Sequence, residues 1–301
     1  MAQLQAAVIP QSPGWIVQYL IFTMNSEEQS ARATFEAKFQ LNSAEKQALV
    51  NLAKRRSDAE RTVRGHSTPA AAAAMNANAD QELRLMAGDR YNEMINWLQQ
   101  WYAQDIAMRS KQQIDHFKAQ HAPQLPGVLA RIFGVGRAAA SDYSSLYVYQ
   151  TQFGSSGWDG ALPDYDLKYA TLYQCCVSAP YSIQPYWFGA SYNNVTFSQI
   201  YTKDVGPWNE DDNYWDLTHS GTNPRRCSPA PGTTYDSYPE SEAALTYGFN
   251  GGLSCYESQS GGYQTVTNIA GIDLEPDIAQ AFGLCAVYCN SWMTVTYTRN
   301  P

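Results

Sequence analysis

Hydrophobic and polar positions recur with two different periods along this chain, and the change falls near residue 135. Before that point, apolar residues recur at intervals near four, as at Ala31, Phe35 and Phe39, which is the period of an amphipathic helix. Beyond it, short runs of β-branched and aromatic residues alternate with stretches of Gly, Asn, Ser and Pro, as in strands and loops. The pattern predicts an α+β protein organised as two domains.

Helix starts are visible in the first half. Ser26-Glu27-Glu28 begins one predicted helix, and Asn42, three residues before Glu45, matches the capping box that begins a second helix, which runs to about Arg64. The sequence His66-Ser67-Thr68-Pro69, followed by five alanines, predicts a break or a loose connector.

A third helical segment is predicted from Asp80 to about His121, because Pro123 and Pro126 follow it. Its apolar stripe consists of Leu83, Met86, Tyr91, Met94, Leu98, Trp101 and Ile106. We therefore expect an N-terminal arm over residues 1–23 and an α-helical hairpin or bundle over residues 24–133.

The second half is predicted to be mostly β. Its strands are Leu146–Thr151, Ser198–Thr202 and Met293–Thr298, and a short helix is predicted at Asp277–Gly283, after Pro276. Small residues make 134–144 a linker, so residues 145–301 form the second domain, a small barrel with long loops.

Composition separates the halves further. Residues 1–140 carry 15 Lys and Arg against 12 Asp and Glu, whereas residues 141–301 carry 5 against 16, together with 18 of the 21 tyrosines. Such a difference predicts separate cores. The formal charge of −8 argues against an affinity built on neutralising phosphates, so we expect no nucleic-acid partner.

No membrane-spanning segment is expected. The best apolar run, Trp15–Phe22, is too short to cross a bilayer and contains Gln18. The chain lacks the basic start of a secretory signal, so any export peptide is expected to have been removed or omitted.

All six cysteines lie in the second half. Their even number, in a stretch rich in Tyr, Gly, Ser and Asn, favours disulfides formed in an oxidising compartment, although spacing alone leaves the pairing open. Zinc is the competing interpretation, but there is no Cys-x-x-Cys pair and no matching His pair. The disulfide candidates are Cys175, Cys176, Cys227, Cys255, Cys285 and Cys289.

The histidines give no metal site either. His66, His116 and His121 are scattered, which favours surface or helix-capping roles over metal ligation. We expect no metal and no cofactor.

Two segments each place an aspartate at the end of an apolar, strand-like run. The first is Asp204-Val205-Gly206-Pro207, and the second is Ile272-Asp273-Leu274-Glu275, followed by Phe282-Gly283-Leu284 and the closing Trp292–Thr296. In this order, they resemble the motifs of the double-psi β-barrel family, which includes rare lipoprotein A, expansins and barwin-like domains. The resemblance covers about residues 145–299 and implies a double-psi-like barrel.

The chain also departs from that family. A long insertion from Trp208 to about Gly262 separates the two aspartates, and Glu275 replaces the usual small hydroxyl residue. The His-Phe-Asp triplet of the hydrolytic relatives is absent, which puts hydrolysis in doubt.

The resemblance implies roles for the two aspartates. The residue matching Asp273 is the general acid or the group essential for wall loosening, and the residue matching Asp204 lines the same groove. Cleavage of a glycosidic bond needs a proton on the leaving oxygen. Lytic transglycosylation needs no second carboxylate to activate water, because a sugar hydroxyl attacks intramolecularly.

Further binding residues are expected in the insertion. Trp208, Tyr214 and Trp215 are suited to forming a flat platform against sugar faces, and Arg225 and Arg226 to holding a carboxylated glycan. Simpler interpretations remain open, in which the tryptophans pack internally and the arginines pair with local acids.

The acidic residues have simpler interpretations too. Asp204 before Gly-Pro is typical of a turn cap, and Asp273 of a helix cap. Glu210–Asn213 has calcium-binding residue types without the calcium-loop spacing, which favours a solvated acidic loop.

Two functions follow from the sequence. The first is an exported protein of the cell envelope, periplasmic or extracellular, that binds polysaccharide or peptidoglycan and acts on it in the manner of a lytic transglycosylase or an expansin. The alternative is a non-enzymatic extracellular structural or assembly protein, in which a disulfide-braced, Tyr-rich module is joined to a helical region that forms homo-oligomers.

The helical half resembles, weakly, periplasmic helical proteins of the LTXXQ type. The likeness lies in Leu41–Lys46 and Arg90–Met94, and the Leu-Thr-x-x-Gln motif itself is absent. It implies a third, chaperone-like interpretation for that half.

Overall fold

A computed structural model of the chain describes residues 8–63, 67–120, 145–162, 186–205, 238–257 and 263–299. Within these residues, five α-helices precede a six-stranded closed barrel, so the predicted combination of a helical region and a mostly-β region is confirmed. The helices of the first part are α1 (Pro13–Phe22), α2 (Ser26–Lys38), α3 (Ser43–Thr62), α4 (Pro69–Ala87) and α5 (Tyr91–Gln120).

The first helix lies at the centre of the helical part. Ser12 caps α1 by accepting a hydrogen bond from the Trp15 backbone, and Pro13 occupies the first helical position, where no backbone donor is needed. Every residue of α1 from Gly14 to Phe22 is buried, as expected of a helix that is apolar on all sides. The segment predicted to be an arm thus contributes the most deeply buried helix.

The other helices follow their capping signals. Asn42 and Glu45 form the predicted capping box at the start of α3. The break predicted before Pro69 is confirmed, because one helix ends at Thr62 and the next begins at Pro69, but the alanines continue α4 and are not a loose connector. The long helix predicted from Asp80 is interrupted at Gly88, whose φ of +55° is a backbone conformation that favours glycine.

The second part contains eight strands and two short helices within the described residues. The predicted strands at 146–151, 198–202 and 293–298 and the helix after Pro276 are confirmed. The elements are β1 (Ser145–Gln152), β2 (Gly160–Leu162), β3 (Tyr186–Tyr192), β4 (Val195–Val205), α6 (Glu240–Tyr247), β5 (Leu253–Glu257), β6 (Tyr263–Thr265), β7 (Ile272–Leu274), α7 (Pro276–Ala281) and β8 (Ser291–Arg299).

The barrel closes in the order β1-β7-β2-β4-β3-β8, and β5 pairs with β6 in a separate small sheet. Two neighbouring pairs are parallel, β1 with β7 and β2 with β4, and the other four are antiparallel. Its interior is filled by apolar side chains from alternate positions of the strands, including Val148, Phe188, Ile272 and Val295, and α7 adds Ile278 and Phe282.

The helices and the barrel share one apolar cluster. Tyr149 of β1 and Trp292 of β8 point outward from the barrel and pack with Trp15, Tyr19 and the rest of α1. The barrel interior thus forms a cluster of its own, while the outer face of β1 and β8 belongs to the cluster of the helices. Within the described ranges, no helix is long and apolar enough to cross a membrane.

Candidate functional site

The two predicted aspartates occupy matching levels of the barrel wall. Ala161 of β2 pairs with Asp204 on one side and with Asp273 on the other. Strands two apart in a sheet are separated by about 10 Å, so the two backbone positions lie at that spacing across β2. The fold thus brings together two positions that are 69 residues apart in the sequence.

Asp273 points away from the barrel interior. Its neighbours Ile272 and Leu274 fill the core, so the alternation of the strand places the Asp273 side chain on the outer face, where it is 3% exposed. Thr151, its register partner on β1, donates a hydrogen bond from its hydroxyl to Asp273 Oδ1. The carboxyl group is therefore hydrogen-bonded to a side chain of the neighbouring strand β1.

A small cavity lined by Thr151, the hydrogen-bond partner of Asp273, is shared by both halves of the chain. Thr151 lines it from the barrel, and Glu60 and Arg61 of α3 line it from the helical side. Its volume of ≈ 40 Å³ has room for a few water molecules, since each needs about 10–15 Å³. The helical part thus reaches the surroundings of the predicted acid.

The loop before β2 is fastened to α7 by acidic side chains. Glu275 accepts a hydrogen bond from the Asp159 backbone at 3.0 Å, and Asp277 accepts one from the Gly157 backbone at 2.9 Å. A side chain at Gly157, where φ is +132°, would collide with the Glu275 carboxylate. Glu275, identified from sequence only as a departure from the family pattern, therefore positions this loop.

The structure describes only some of the other predicted residues. Trp208, Tyr214, Trp215, Arg225 and Arg226 lie outside the described residues, as do Cys175, Cys176 and Cys227. Cys255 lies in β5, and Cys285 forms a disulfide with Cys289, a pairing that the sequence left open. No group of three or more His, Cys, Asp and Glu suited to a metal ion occurs among the residues described.

A second polar site, which the sequence did not predict, lies between the helices and the barrel. Arg109 of α5 donates from Nη2 to Glu28 Oε1 at 2.6 Å, and its Nε lies 3.7 Å from Asp105 Oδ1. From Nη1 it donates to the Tyr147 hydroxyl of β1 at 2.6 Å. Arg109 and Glu28 have at most 1% of their side chains exposed, so the ion pair is removed from water.

A chain of hydrogen bonds connects this site to the barrel. Trp292 Nε1 donates to the Tyr19 hydroxyl at 2.7 Å, and Tyr19 donates to Asp105 Oδ2 at 2.6 Å. Burial and the neighbouring Asp105 raise the pKa of Glu28 to about 7, and burial also raises the pKa of Asp105. Both shifts favour the protonated form, so this pair of carboxyl groups takes up a proton more readily than two exposed carboxyl groups do.

The signal for this site was present in the helical pattern. Asp105 and Arg109 continue the spacing of three and four that starts at Leu98 and Tyr102, so they occupy the face of α5 that is otherwise apolar. Charged residues at core-facing positions need partners, whereas the same pair on the other face would be an ordinary surface ion pair.

An open cleft of ≈ 490 Å³ borders this site. Arg109, Tyr147 and Trp292 line it, together with residues around the start of α2 and the β3–β4 turn. We call it the junction cleft, because helices form one side of it and the barrel the other. A concave site beside titratable groups of shifted pKa has the general features of a ligand site.

A third buried polar pair lies nearby, between α5 and α6. Gln113 donates from Nε2 to Glu242 Oε2 at 2.6 Å, and burial raises the pKa of Glu242 to about 8. Neither residue lines the two cavities described above, so the pair joins the helices rather than forming part of a site.

Comparison with known proteins gives one match. A family model described as Domain of unknown function (DUF8814) matches residues 144–296, which begin just before β1 and end within β8. No curated protein and no solved structure matches this chain.

Proposed function

Since this chain belongs to the DUF8814 family, whose matched region is the barrel, we propose that it is an exported cell-envelope protein that binds polysaccharide through a double-psi-like barrel. The observation that carries the proposal is the pairing of Asp204 and Asp273 with the same residue, Ala161. A glycan site formed by both acids requires them to lie on the same wall of the barrel. The register supports this, because both backbone positions pair with Ala161.

The chemistry proposed for this wall is lytic cleavage of peptidoglycan. Asp273 donates its proton to the leaving glycosidic oxygen, and a hydroxyl of the glycan attacks the anomeric carbon and gives up its proton to Asp204. The burial of Asp273 and its bond to Thr151 support a fixed orientation of the carboxyl group.

The Cys285–Cys289 disulfide supports an extracellular or periplasmic location, because disulfides persist in oxidising compartments. The disulfide closes a short loop just before β8. Gln152 of β1 donates hydrogen bonds to the carbonyl oxygens of both cysteines, at 2.8 Å each.

The test is retention on purified peptidoglycan and on cellulose, with released muropeptides measured by mass spectrometry. Wild type is compared with Asp273→Asn and Asp204→Asn, and with Asp89→Asn as a control at an exposed acid of the helical part. Retention and muropeptide release that fall at least tenfold in both barrel variants, and not in the control, are expected. Absence of retention of the wild-type protein on both polymers contradicts the proposal.

One observation favours a second function. Asp273 is almost fully buried and bonded to Thr151, an arrangement that also suits a purely structural side chain. In the second proposal the chain is a non-enzymatic extracellular scaffold that assembles through its helices. Concentration-dependent oligomers in size-exclusion chromatography with light scattering are then expected, and a strict monomer at high concentration contradicts this proposal.

A further inference from the structure

We propose that the junction cleft is a second ligand site, and that it binds an uncharged, hydroxyl-rich molecule such as the end of a saccharide. This inference goes beyond the barrel site, since it uses other residues on another part of the surface. It stands on the geometry of the cleft, the residue types that line it and the charges already present in its floor.

Three side chains on neighbouring strands form the barrel side of the cleft. Thr294 of β8 pairs with Tyr147 of β1 on one side and with Ser191 of β3 on the other. Residues paired directly across a sheet point to the same face. The three hydroxyl-bearing side chains therefore form a row along the outer wall of the barrel, and all three line the cleft.

The ends of the cleft carry amides. Asn193 lies in the turn between β3 and β4 with a φ of +48°, and Gln112 projects from α5 on the helical side. An amide offers donors and an acceptor at once, and a hydroxyl does the same. This mixture matches the hydroxyl groups of a sugar, each of which both donates and accepts.

The helical side is held in a fixed position against the barrel. Asn25 donates from Nδ2 to the Trp292 carbonyl at 3.0 Å and accepts from the Trp292 backbone at 2.7 Å. Tyr192 of β3 donates from its hydroxyl to the Met24 carbonyl at 2.9 Å. Contacts from both strands thus set the position of the chain that enters α2, so the cleft is formed before a ligand arrives.

The charges in the floor disfavour a charged ligand. Arg109 is already engaged by Glu28 and by Glu27, whose Oε2 lies 3.4 Å from Nη2. An anionic ligand would be repelled by these carboxylates, and the guanidinium that could attract it is already paired with them. Among the described residues that line the cleft, Glu27 is the only acid; it already contacts Arg109 and half of its side chain is exposed, so water screens its charge from a cation.

The volume also suits a small saccharide. At ≈ 490 Å³, the cleft is within the range of small-molecule sites, about 300–1,000 Å³. Tyr147 and Tyr192 are half-buried, so they add apolar surface beside the hydrogen-bonding groups. Aromatic surface with a polar rim is the usual combination in such pockets.

The test is calorimetric titration of the full chain with cellobiose and with chitobiose, and with inorganic phosphate and ethanolamine as charged probes. Thr294→Val removes a hydroxyl and retains the shape, and Asn193→Gly removes an amide at a position where glycine adopts the observed φ without strain. Thr296→Val is the matched control, because Thr296 lies two residues along on the same face of β8 and does not line the cleft. Asp273→Asn is included to separate this site from the barrel site.

Each cleft variant is expected to weaken disaccharide binding by about three- to tenfold, the effect of one lost hydrogen bond. Thr296→Val is expected to bind as the wild type does, and each cleft variant is expected to have the same effect in the Asp273→Asn background, in which the proposed barrel site is impaired. If Thr294→Val loses its thermal transition, Gln112→Ala on the helical side decides instead.

Four outcomes overturn the inference. They are no disaccharide binding by the wild type, binding of phosphate or ethanolamine in place of the sugars, binding unchanged by the cleft variants, and binding lost in Asp273→Asn alone. The last outcome supports the proposed function while removing the second site, so the two proposals fail separately.

Discussion

At the scale of single residues, the environment of Arg109 decides how the helices meet the barrel. Its guanidinium faces the carboxyl groups of Glu28 and Asp105, both buried, with Glu27 at the surface. One positive charge cannot balance these buried carboxylates, and burial of an unbalanced charge is costly. Uptake of a proton by the pair relieves the imbalance.

This arrangement predicts a pH-dependent stability. Glu28 has a pKa of about 7 when folded and 4.5 when unfolded, so between these values the folded state binds more protons. The free energy of unfolding should therefore fall as the pH rises from 4.5 to 7, by about 3 kcal/mol, and remain low above pH 7. Glu28→Gln, which keeps the site neutral there, should be the more stable protein at pH 8.

Urea unfolding at pH 5 and pH 8 measures the effect. Glu93→Gln is the control, since Glu93 lies on the exposed face of α5. A Glu28→Gln protein that loses as much stability between the two pH values as the wild type does would show that another group is responsible.

At this scale, the sequence can single out residues only where a motif is continuous, and the function of those residues stays a prediction. Asp204 and Asp273 stood out because each follows an apolar run, and the register places both beside Ala161. Glu28 and Arg109 were missed because their partnership spans 81 positions, which no local pattern reports.

At the scale of elements, α1 and α4 cross where α1 has no side chain. A Cβ added at Gly14 would lie 2.4 Å from the Cβ of Ala79, which is closer than two carbon atoms can approach. The Gly14 backbone also donates to Asp80 Oδ1 at 2.7 Å, so the two helices are fastened at the same point. Glycine is therefore needed here for its small size.

Gly14→Ala should destabilise the protein by about 1–2 kcal/mol, because overpacking outweighs the better helix propensity of alanine. Ala79→Gly costs about 1 kcal/mol in the wild type but should restore stability in the Gly14→Ala background. A double-mutant cycle from chemical unfolding measures this coupling. Ala74→Gly, at an exposed position of α4, should show none, and additive effects for Gly14 and Ala79 would exclude a close contact.

Elements were predictable in proportion to their length and their end signals. The capping box at Asn42 and the strands β1, β4 and β8 were found, whereas β2 and β7 have only three residues each. A strand of three residues is too short to show an alternation, and all three positions of β7 are buried. The sequence predicts a connector where the alanines form α4, because a proline at the first position of a helix resembles a helix break.

At the scale of the whole molecule, the apolar cluster that the helices share with the outer face of β1 and β8 couples the two halves, while the barrel interior keeps a cluster of its own. α1 is covered by other helices on several sides and by Tyr149 and Trp292 of the barrel. Composition predicts two domains, but it reports how the two halves differ and not which of their buried faces meet. Which buried faces meet is determined by the packing of side chains that are distant in the sequence.

The full chain should therefore unfold in one cooperative thermal transition. Differential scanning calorimetry should give a calorimetric enthalpy equal to the van't Hoff enthalpy. A fragment of residues 145–301 should be less stable than the barrel in the full chain, since it exposes the aromatic side chains that α1 covers. Two resolved transitions, or a fragment as stable as the full chain, would show that the two domains fold independently.

The central position of α1 has a consequence for biosynthesis. Tyr19 and Trp292 are bonded to each other across 273 positions, so this apolar helix leaves the ribosome long before the strand that shelters it exists. Until then the face of α1 that Trp292 covers remains exposed to non-native contacts. Complete burial of α1 can therefore be reached only once the last strand has been synthesised.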